Sequence, residues 1–165
     1  LMKLEQLLPW DYFESIESQI KNDEIKSWLQ EIGPITKRIK SNKEFKLELI
    51  QDELDIVKAS EREFLKTNSN DIRVREVILY ANQDPFVFAR TIIPTSTIQK
   101  GLSDLGKIGN KPLGDILFEK EIFSKEIVLC SSFKRKNKIF WGRISKYTVK
   151  GYPFSVMEVF LINDN

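Results

Sequence analysis

Two extended runs and the turn between them decide the fold: Ile139-Phe140-Trp141-Gly142-Arg143-Ile144-Ser145-Lys146-Tyr147-Thr148-Val149, then Lys150-Gly151-Tyr152-Pro153, then Phe154-Ser155-Val156-Met157-Glu158-Val159-Phe160-Leu161-Ile162. Both runs are rich in β-branched and aromatic residues, and the Gly and Pro between them are turn formers. A second hairpin of the same design spans Ile72 to Tyr80 and Phe86 to Ile93, joined by Ala81-Asn82-Gln83-Asp84-Pro85. Residues 124–133 read as a further strand. So does the segment after Asn42, where Phe45, Leu47 and Leu49 alternate with Lys46 and Glu48.

Helical signals lie mostly ahead of the hairpins. Asp23 can cap a helix whose Ile25, Trp28, Leu29 and Ile32 fall at i, i+3, i+4 and i+7, with Gly33-Pro34 as its stop. Residues 1–22 carry a weaker amphipathic pattern broken by Pro9, and Ile35-Thr36-Lys37-Arg38 fits a short second turn. A charged, less regular stretch covers 51–71. Thr95-Ser96-Thr97 can cap a helix carrying Ile98, Leu102 and Leu105 and ending at Gly106, before a glycine-punctuated loop over Gly106 to Gly114. Helices in front and hairpins behind predict an α+β fold with an antiparallel β-sheet flanked by helices.

Composition bounds the function. At 165 residues, 41% hydrophobic and 30% charged, with only 7 Gly and 6 Pro, the chain fits one domain, 1–165, without long linkers. A net charge of +2 is too mild for a dedicated nucleic-acid binder. The absence of histidine excludes Ser-His and Cys-His nucleophilic pairs and the usual histidine-containing zinc sites. Cys130 is the one cysteine, so neither an intrachain disulfide nor a multi-thiolate metal site can form, and its neighbours Ile127, Val128 and Leu129 predict a buried small hydrophobe. No apolar run reaches the roughly 18–20 residues of a membrane span, and Leu1-Met2-Lys3-Leu4-Glu5 lacks the pattern of a secretory signal. A soluble protein of a reducing compartment is expected.

Charges that interrupt an apolar alternation are statements about burial. Glu158 shares its face with Phe154, Val156, Phe160 and Ile162, where an unanswered carboxylate costs several kcal/mol or takes up a proton. Arg90 sits among Phe86, Phe88 and Ile92, Arg143 among Ile139, Trp141, Ser145 and Tyr147, and Arg75 with Arg73, Val77 and Leu79. One reading pairs Glu158 with one of these arginines as a buried structural ion pair. The other is a pocket between sheet and helices that holds an anionic ligand on arginine forks. Three arginines against one identifiable carboxylate favours the ligand. The basic run Lys134-Arg135-Lys136 with Lys138 reads as a solvated hairpin turn, and Gly106, Gly109 and Gly114 match no phosphate-binding fingerprint.

A collinear series of short segments resembles the chorismate lyase family over residues 28–161. It comprises Trp28-Leu29, Ile35-Thr36-Lys37-Arg38, Arg75-Glu76-Val77, Arg90-Thr91-Ile92-Ile93-Pro94, Leu105-Gly106, Lys111-Pro112-Leu113-Gly114, Trp141-Gly142-Arg143 and Glu158-Val159-Phe160-Leu161. The resemblance implies a single α+β domain that encloses its ligand under mobile flaps. It also implies conversion of chorismate to 4-hydroxybenzoate and pyruvate without cofactor or metal, in support of ubiquinone or plastoquinone synthesis.

Carried over residue by residue, Arg75 corresponds to the arginine that holds the ring carboxylate, and Leu113 to a position whose backbone N–H assists it. Glu158 corresponds to the glutamate facing the ring hydroxyl and is the candidate for proton handling. Ile35 stands where the family usually has a flap methionine. To these we add Arg90 as partner for the enolpyruvyl carboxylate, and we keep Arg143 as a structural candidate. The expected partners are the small-molecule substrate and product, with no nucleic acid, no membrane span and a monomeric state. The alternative is a non-catalytic domain of the same fold that senses an aromatic carboxylate. The heavy use of Lys, Ile and Asn also resembles the chorismate lyase-like proteins of algal plastids, so a bacterial cytoplasm and a plastid stroma are both expected settings.

Overall fold

The computed structural model describes residues 2–119 and 121–165. Among these residues the strands are β1 (Glu5–Gln6), β2 (Phe45–Leu54), β3 (Ile72–Ala81), β4 (Asp84–Pro94), β5 (Phe123–Arg135), β6 (Lys138–Val149) and β7 (Tyr152–Phe160). The helices are α1 (Phe13–Ile16), α2 (Asp23–Leu29), α3 (Ile35–Lys40), α4 (Ala59–Leu65) and α5 (Leu113–Glu119). The strands form one curled sheet in the order β1-β5-β6-β7-β4-β3-β2, antiparallel at every pairing.

Both expected hairpins form, with tighter turns than the sequence pattern implied. Asn82 and Gln83 close β3 to β4 at φ values of 50° and 71°, and Lys150 and Gly151 close β6 to β7 at 53° and 83°. Two successive left-handed residues match the twist of the flanking strands. Asp84-Pro85 and Tyr152-Pro153, read from sequence as turn residues, therefore pair as the first residues of β4 and β7.

Other segments depart further. The front of the chain is helical only at α1 and a following 3-10 turn, Glu17–Gln19. Before that, β1 pairs with β5, and the Asp11 and Cys130 backbones exchange hydrogen bonds of 3.0 and 2.6 Å. The free edge of β5 offers unpaired backbone groups that a Pro9-interrupted helix cannot outcompete. α2 is capped by Asn22, whose side chain accepts from the Glu24 N–H at 2.8 Å, and not by Asp23. It ends at Leu29, so Ile32 leaves the apolar stripe and is 85% exposed.

The stretch 51–71 contains the end of β2, carried past a register shift between Leu49 and Gln51, and then α4. In place of the helix expected before Gly106 there is a π-turn, Thr97–Gly101, followed by a 3-10 turn, Ser103–Gly106. Gly101 is packed so closely on Val149 that a Cβ there would meet the valine side chain at 2.8 Å.

One face of the sheet, here the inner face, is covered by α2 and α3, whose Ile25, Trp28, Leu29, Ile35 and Ile39 pack with Val77, Leu79, Val87, Trp141 and Phe160. The same face continues under the 105–113 segment, where Leu105, Ile108 and Leu113 meet Ile93, Val149 and Phe154. On the outer face Leu65 of α4 packs with Ile72, Val74 and Ile92. Among the described residues no helix is long and apolar enough to cross a membrane.

Candidate active site

Cross-strand register sets the site. In one row across the inner face, Val77, Ala89, Glu158, Arg143 and Cys130 are successive partners on β3, β4, β7, β6 and β5. The adjacent row carries Arg75, Thr91, Val156, Ser145 and Val128. Between this face and the covering segments lies a cavity of ≈ 640 Å³, including its mouth. Ile35 and Leu113 line it from α3 and α5, and Arg75, Arg143, Glu158 and Lys125 line it from the sheet.

Arg75 is 3% exposed. Its Nη2 donates to the carbonyls of Gly109 at 3.1 Å and Lys111 at 2.7 Å, which fixes the plane of the guanidinium from the glycine-punctuated loop. Its Nε is buried and has no hydrogen-bond partner. The nearby carboxylate of Asp52 is engaged instead by Arg73, at 2.6 Å. Burial pulls the Arg75 guanidinium below the ordinary arginine value, an effect that the charge of Asp52 partly offsets. A buried guanidinium nitrogen without a partner costs free energy, and Arg75 lines the cavity, where an anion is the kind of ligand that could complete it.

Glu158 is answered by Arg143, whose Nε donates to Oε1 at 3.0 Å. Arg143 is itself 5% exposed, and its Nη1 donates to the carbonyls of Leu29 at 3.2 Å and Glu31 at 2.6 Å. The structural ion pair that the sequence left open therefore exists, and it ties β7 to the segment leaving α2. That segment is braced further. The Glu31 carboxylate accepts from the Gly33 N–H at 3.0 Å and meets Arg38 at 3.5 Å, and the Arg38 guanidinium stacks 3.8 Å over the Trp28 ring.

Arg90 does not reach this cavity, and its assignment to a ligand carboxylate is corrected here. Register pairs Arg75 with Thr91, which turns Arg90 to the outer face opposite Glu76. There it takes both oxygens of Glu61, at 2.7 and 3.0 Å, and Oε2 of Glu76 at 3.0 Å. The surplus of arginine over carboxylate counted from sequence shrinks accordingly. Glu61 and Glu76 pair with Arg90, Glu158 pairs with Arg143, and of the three arginines only Arg75 has a fully buried nitrogen without a hydrogen-bond partner.

Sequence reasoning missed Lys125, Thr36 and Tyr147, which also line the cavity. Tyr147 was visible on the Arg143 face, and burial pushes its phenol up to about 12. Lys125 stands beside a register shift between Lys125 and Ile127, so simple alternation along β5 does not carry it to the right face. Cys130 is 1% exposed and burial pushes its thiol up to about 11, in keeping with the inert role expected of it.

A family model described as chorismate lyase matches residues 8–164. The chain is 29% identical over 161 residues to the probable chorismate pyruvate-lyase of Pseudoalteromonas atlantica, covering 86% of this chain and 81% of that protein. It is 32% identical over 114 residues to the chorismate pyruvate-lyase of Pectobacterium atrosepticum, covering 69% of this chain and 57% of that one. Among solved structures it is similar in fold to the C-terminal domain of the histidine utilization repressor from Pseudomonas syringae pv. tomato, with a TM-score of 0.55 over 71% of this chain and 90% of that one at 7% identity.

Proposed function

This chain is an enzyme of the chorismate lyase family, and we propose that it converts chorismate to 4-hydroxybenzoate and pyruvate without a cofactor, using the inner-face cavity. The observation that carries this reading is a buried, unpartnered guanidinium edge on Arg75 in the same cavity as the one carboxylate of the inner-face row, Glu158.

Arg75 and Glu158 project from β3 and β7, which are separated by one strand. With the two-residue offset between their rows, their backbones are thus roughly 12 Å apart, a span that suits a six-membered ring with polar groups at opposite ends. Arg75 takes the ring carboxylate, with the Leu113 backbone N–H as a second donor. That places the hydroxyl-bearing ring carbon toward Glu158, which removes the proton on it. The ether bond at the neighbouring carbon then breaks, its electron pair leaves with the enolpyruvyl oxygen, and the ring becomes aromatic. The released enol takes a proton on carbon to become pyruvate. Aromatisation supplies the driving force, so the protein's work is orientation and the handling of one proton. Arg143 holds the Glu158 carboxylate in place through Nε.

Ile35 acts as part of a flap over the ligand, stiffer than a methionine would be. The product serves quinone synthesis in this reading, in a bacterial cytoplasm or a plastid stroma, and the chain works as a monomer. The likeness to a repressor domain is one of fold. A domain that only senses an aromatic carboxylate needs Arg75 and could use Glu158 for the ring hydroxyl, but it would form no product.

The test is to incubate the protein with chorismate and follow pyruvate and 4-hydroxybenzoate together. Equimolar appearance of both is expected. Binding of 4-hydroxybenzoate with neither product formed would reassign the cavity to sensing.

A further inference from the structure

Chorismate carries two carboxylates, and the Arg75 edge accounts for one. We propose that Lys125 is the residue that receives the second, the enolpyruvyl carboxylate, and that it thereby distinguishes substrate from product; this rests on the lyase reading above.

The cations that line the cavity are Arg75, Lys125 and Arg143. Arg143 spends Nε on Glu158 and Nη1 on two backbone carbonyls, which leaves only its Nη2 for a ligand. Arg90 is on the other face and closed by two carboxylates. Lys125 has no ion-pair partner among the described residues; it is an exposed residue that lines the cavity, with its ammonium 5.5 Å from the centre of the Tyr147 ring. Lys146, the next lysine in register on β6, is turned to the outer face, where Glu126 engages it at 3.6 Å.

Position agrees with chemistry. In the sheet order β5-β6-β7-β4-β3, Glu158 lies between Lys125 and Arg75. The enolpyruvyl ether sits on the carbon next to the one that Glu158 deprotonates, so its carboxylate lies on the Glu158 side of the ring, away from Arg75. The surrounding protein, and then the charge of Arg143, hold the Lys125 ammonium below the ordinary lysine value, while Glu158 pulls the other way. The product 4-hydroxybenzoate has nothing to offer this lysine, so once pyruvate leaves only the Arg75 end remains engaged.

The experiment compares the wild-type protein with Lys125→Ala and Lys125→Arg, reading kcat/KM for chorismate and, by calorimetry, Kd for 4-hydroxybenzoate. For Lys125→Ala, kcat/KM falls about 10- to 100-fold while Kd for 4-hydroxybenzoate stays within about twofold, and Lys125→Arg recovers most of the loss. An unchanged kcat/KM in Lys125→Ala overturns the assignment. So does a matching loss of 4-hydroxybenzoate affinity, which would put Lys125 at the ring site or in the packing. A wild-type protein that forms no pyruvate defeats the lyase reading first and this inference with it. An active wild type with an indifferent Lys125→Ala defeats this inference alone.

Discussion

The two faces of the sheet treat a buried arginine in opposite ways. On the outer face Arg90 is enclosed by three carboxylate oxygens from Glu61 and Glu76, within 3.0 Å. On the inner face Arg75 is buried more deeply, yet it donates only to two loop carbonyls and keeps an empty Nε. A charge that the protein neutralises for itself is architecture. One that the protein desolvates and leaves incomplete is poised for an anion from outside.

If that contrast is right, the largest effects belong to the inner face. Glu158→Gln keeps the shape and hydrogen-bonding reach but cannot take a proton, so pyruvate release falls about 10²- to 10⁴-fold while 4-hydroxybenzoate still binds. Full turnover in this variant would remove Glu158 from the chemistry. Arg75→Ala comes next, with 4-hydroxybenzoate affinity weakened about 10- to 100-fold, the worth of a charge-assisted hydrogen-bond pair. Unchanged calorimetric affinity would break the comparison at its inner side.

The outer face predicts the reverse pattern. Arg90→Met strands Glu61 and Glu76 beside each other and costs about 1–3 kcal/mol of unfolding free energy, discounted for the partial exposure of the triad. Product affinity and turnover stay at wild-type values. Chemical denaturation alongside the activity assay checks this, and a specific loss of chorismate turnover would return Arg90 to the site.

The triad also fixes a pH dependence. Burial by itself raises the Glu61 carboxyl, but its hydrogen bonds with Arg90 and the Lys58 N–H, with the charge of Arg90, hold it below the ordinary glutamate value. A carboxyl depressed on folding contributes stability above its unfolded pKa, and that contribution is lost as pH falls through the folded value. The acid limb of stability is therefore shallower in Arg90→Met, measurable by denaturation from neutral to acid pH.

Cys130→Ala is the smallest perturbation, with about 1 kcal/mol or less of stability lost and turnover unaffected. In the wild type a thiol reagent reacts only as the protein unfolds. Rapid reaction of the folded protein would show that the β5 edge opens beside Arg143.

Much of this was legible in the chain itself. The β-rich runs around Lys150-Gly151 and Asn82-Gln83, the stripe through Ile25, Trp28 and Leu29, and the break of apolar alternation at Glu158 are local patterns, repeating every two or 3.6 residues, and they need no knowledge of the rest of the molecule. The need for something to answer Glu158 was equally visible, since no carboxylate rests unpartnered on an apolar face. The misreadings share a cause. Arg90 and Arg75 each interrupt an apolar series, and period-two alternation cannot say that the pairing of Arg75 with Thr91 sends them to opposite faces. A shift of one residue in that register would have exchanged them.

The sequence by itself determined the two hairpins, the apolar stripe of α2, the burial of the cysteine and the absence of imidazole chemistry, because each follows from residue type and near-neighbour spacing. Only the tertiary structure decided which carboxylate closes which arginine, that the register shift at Lys125 and Ile127 leaves a lysine among the residues that line the cavity, and that Arg75 keeps a buried Nε without a partner. Those outcomes depend on strand pairings and on α4 folding back across the sheet, contacts between residues far apart in the chain that no local periodicity encodes.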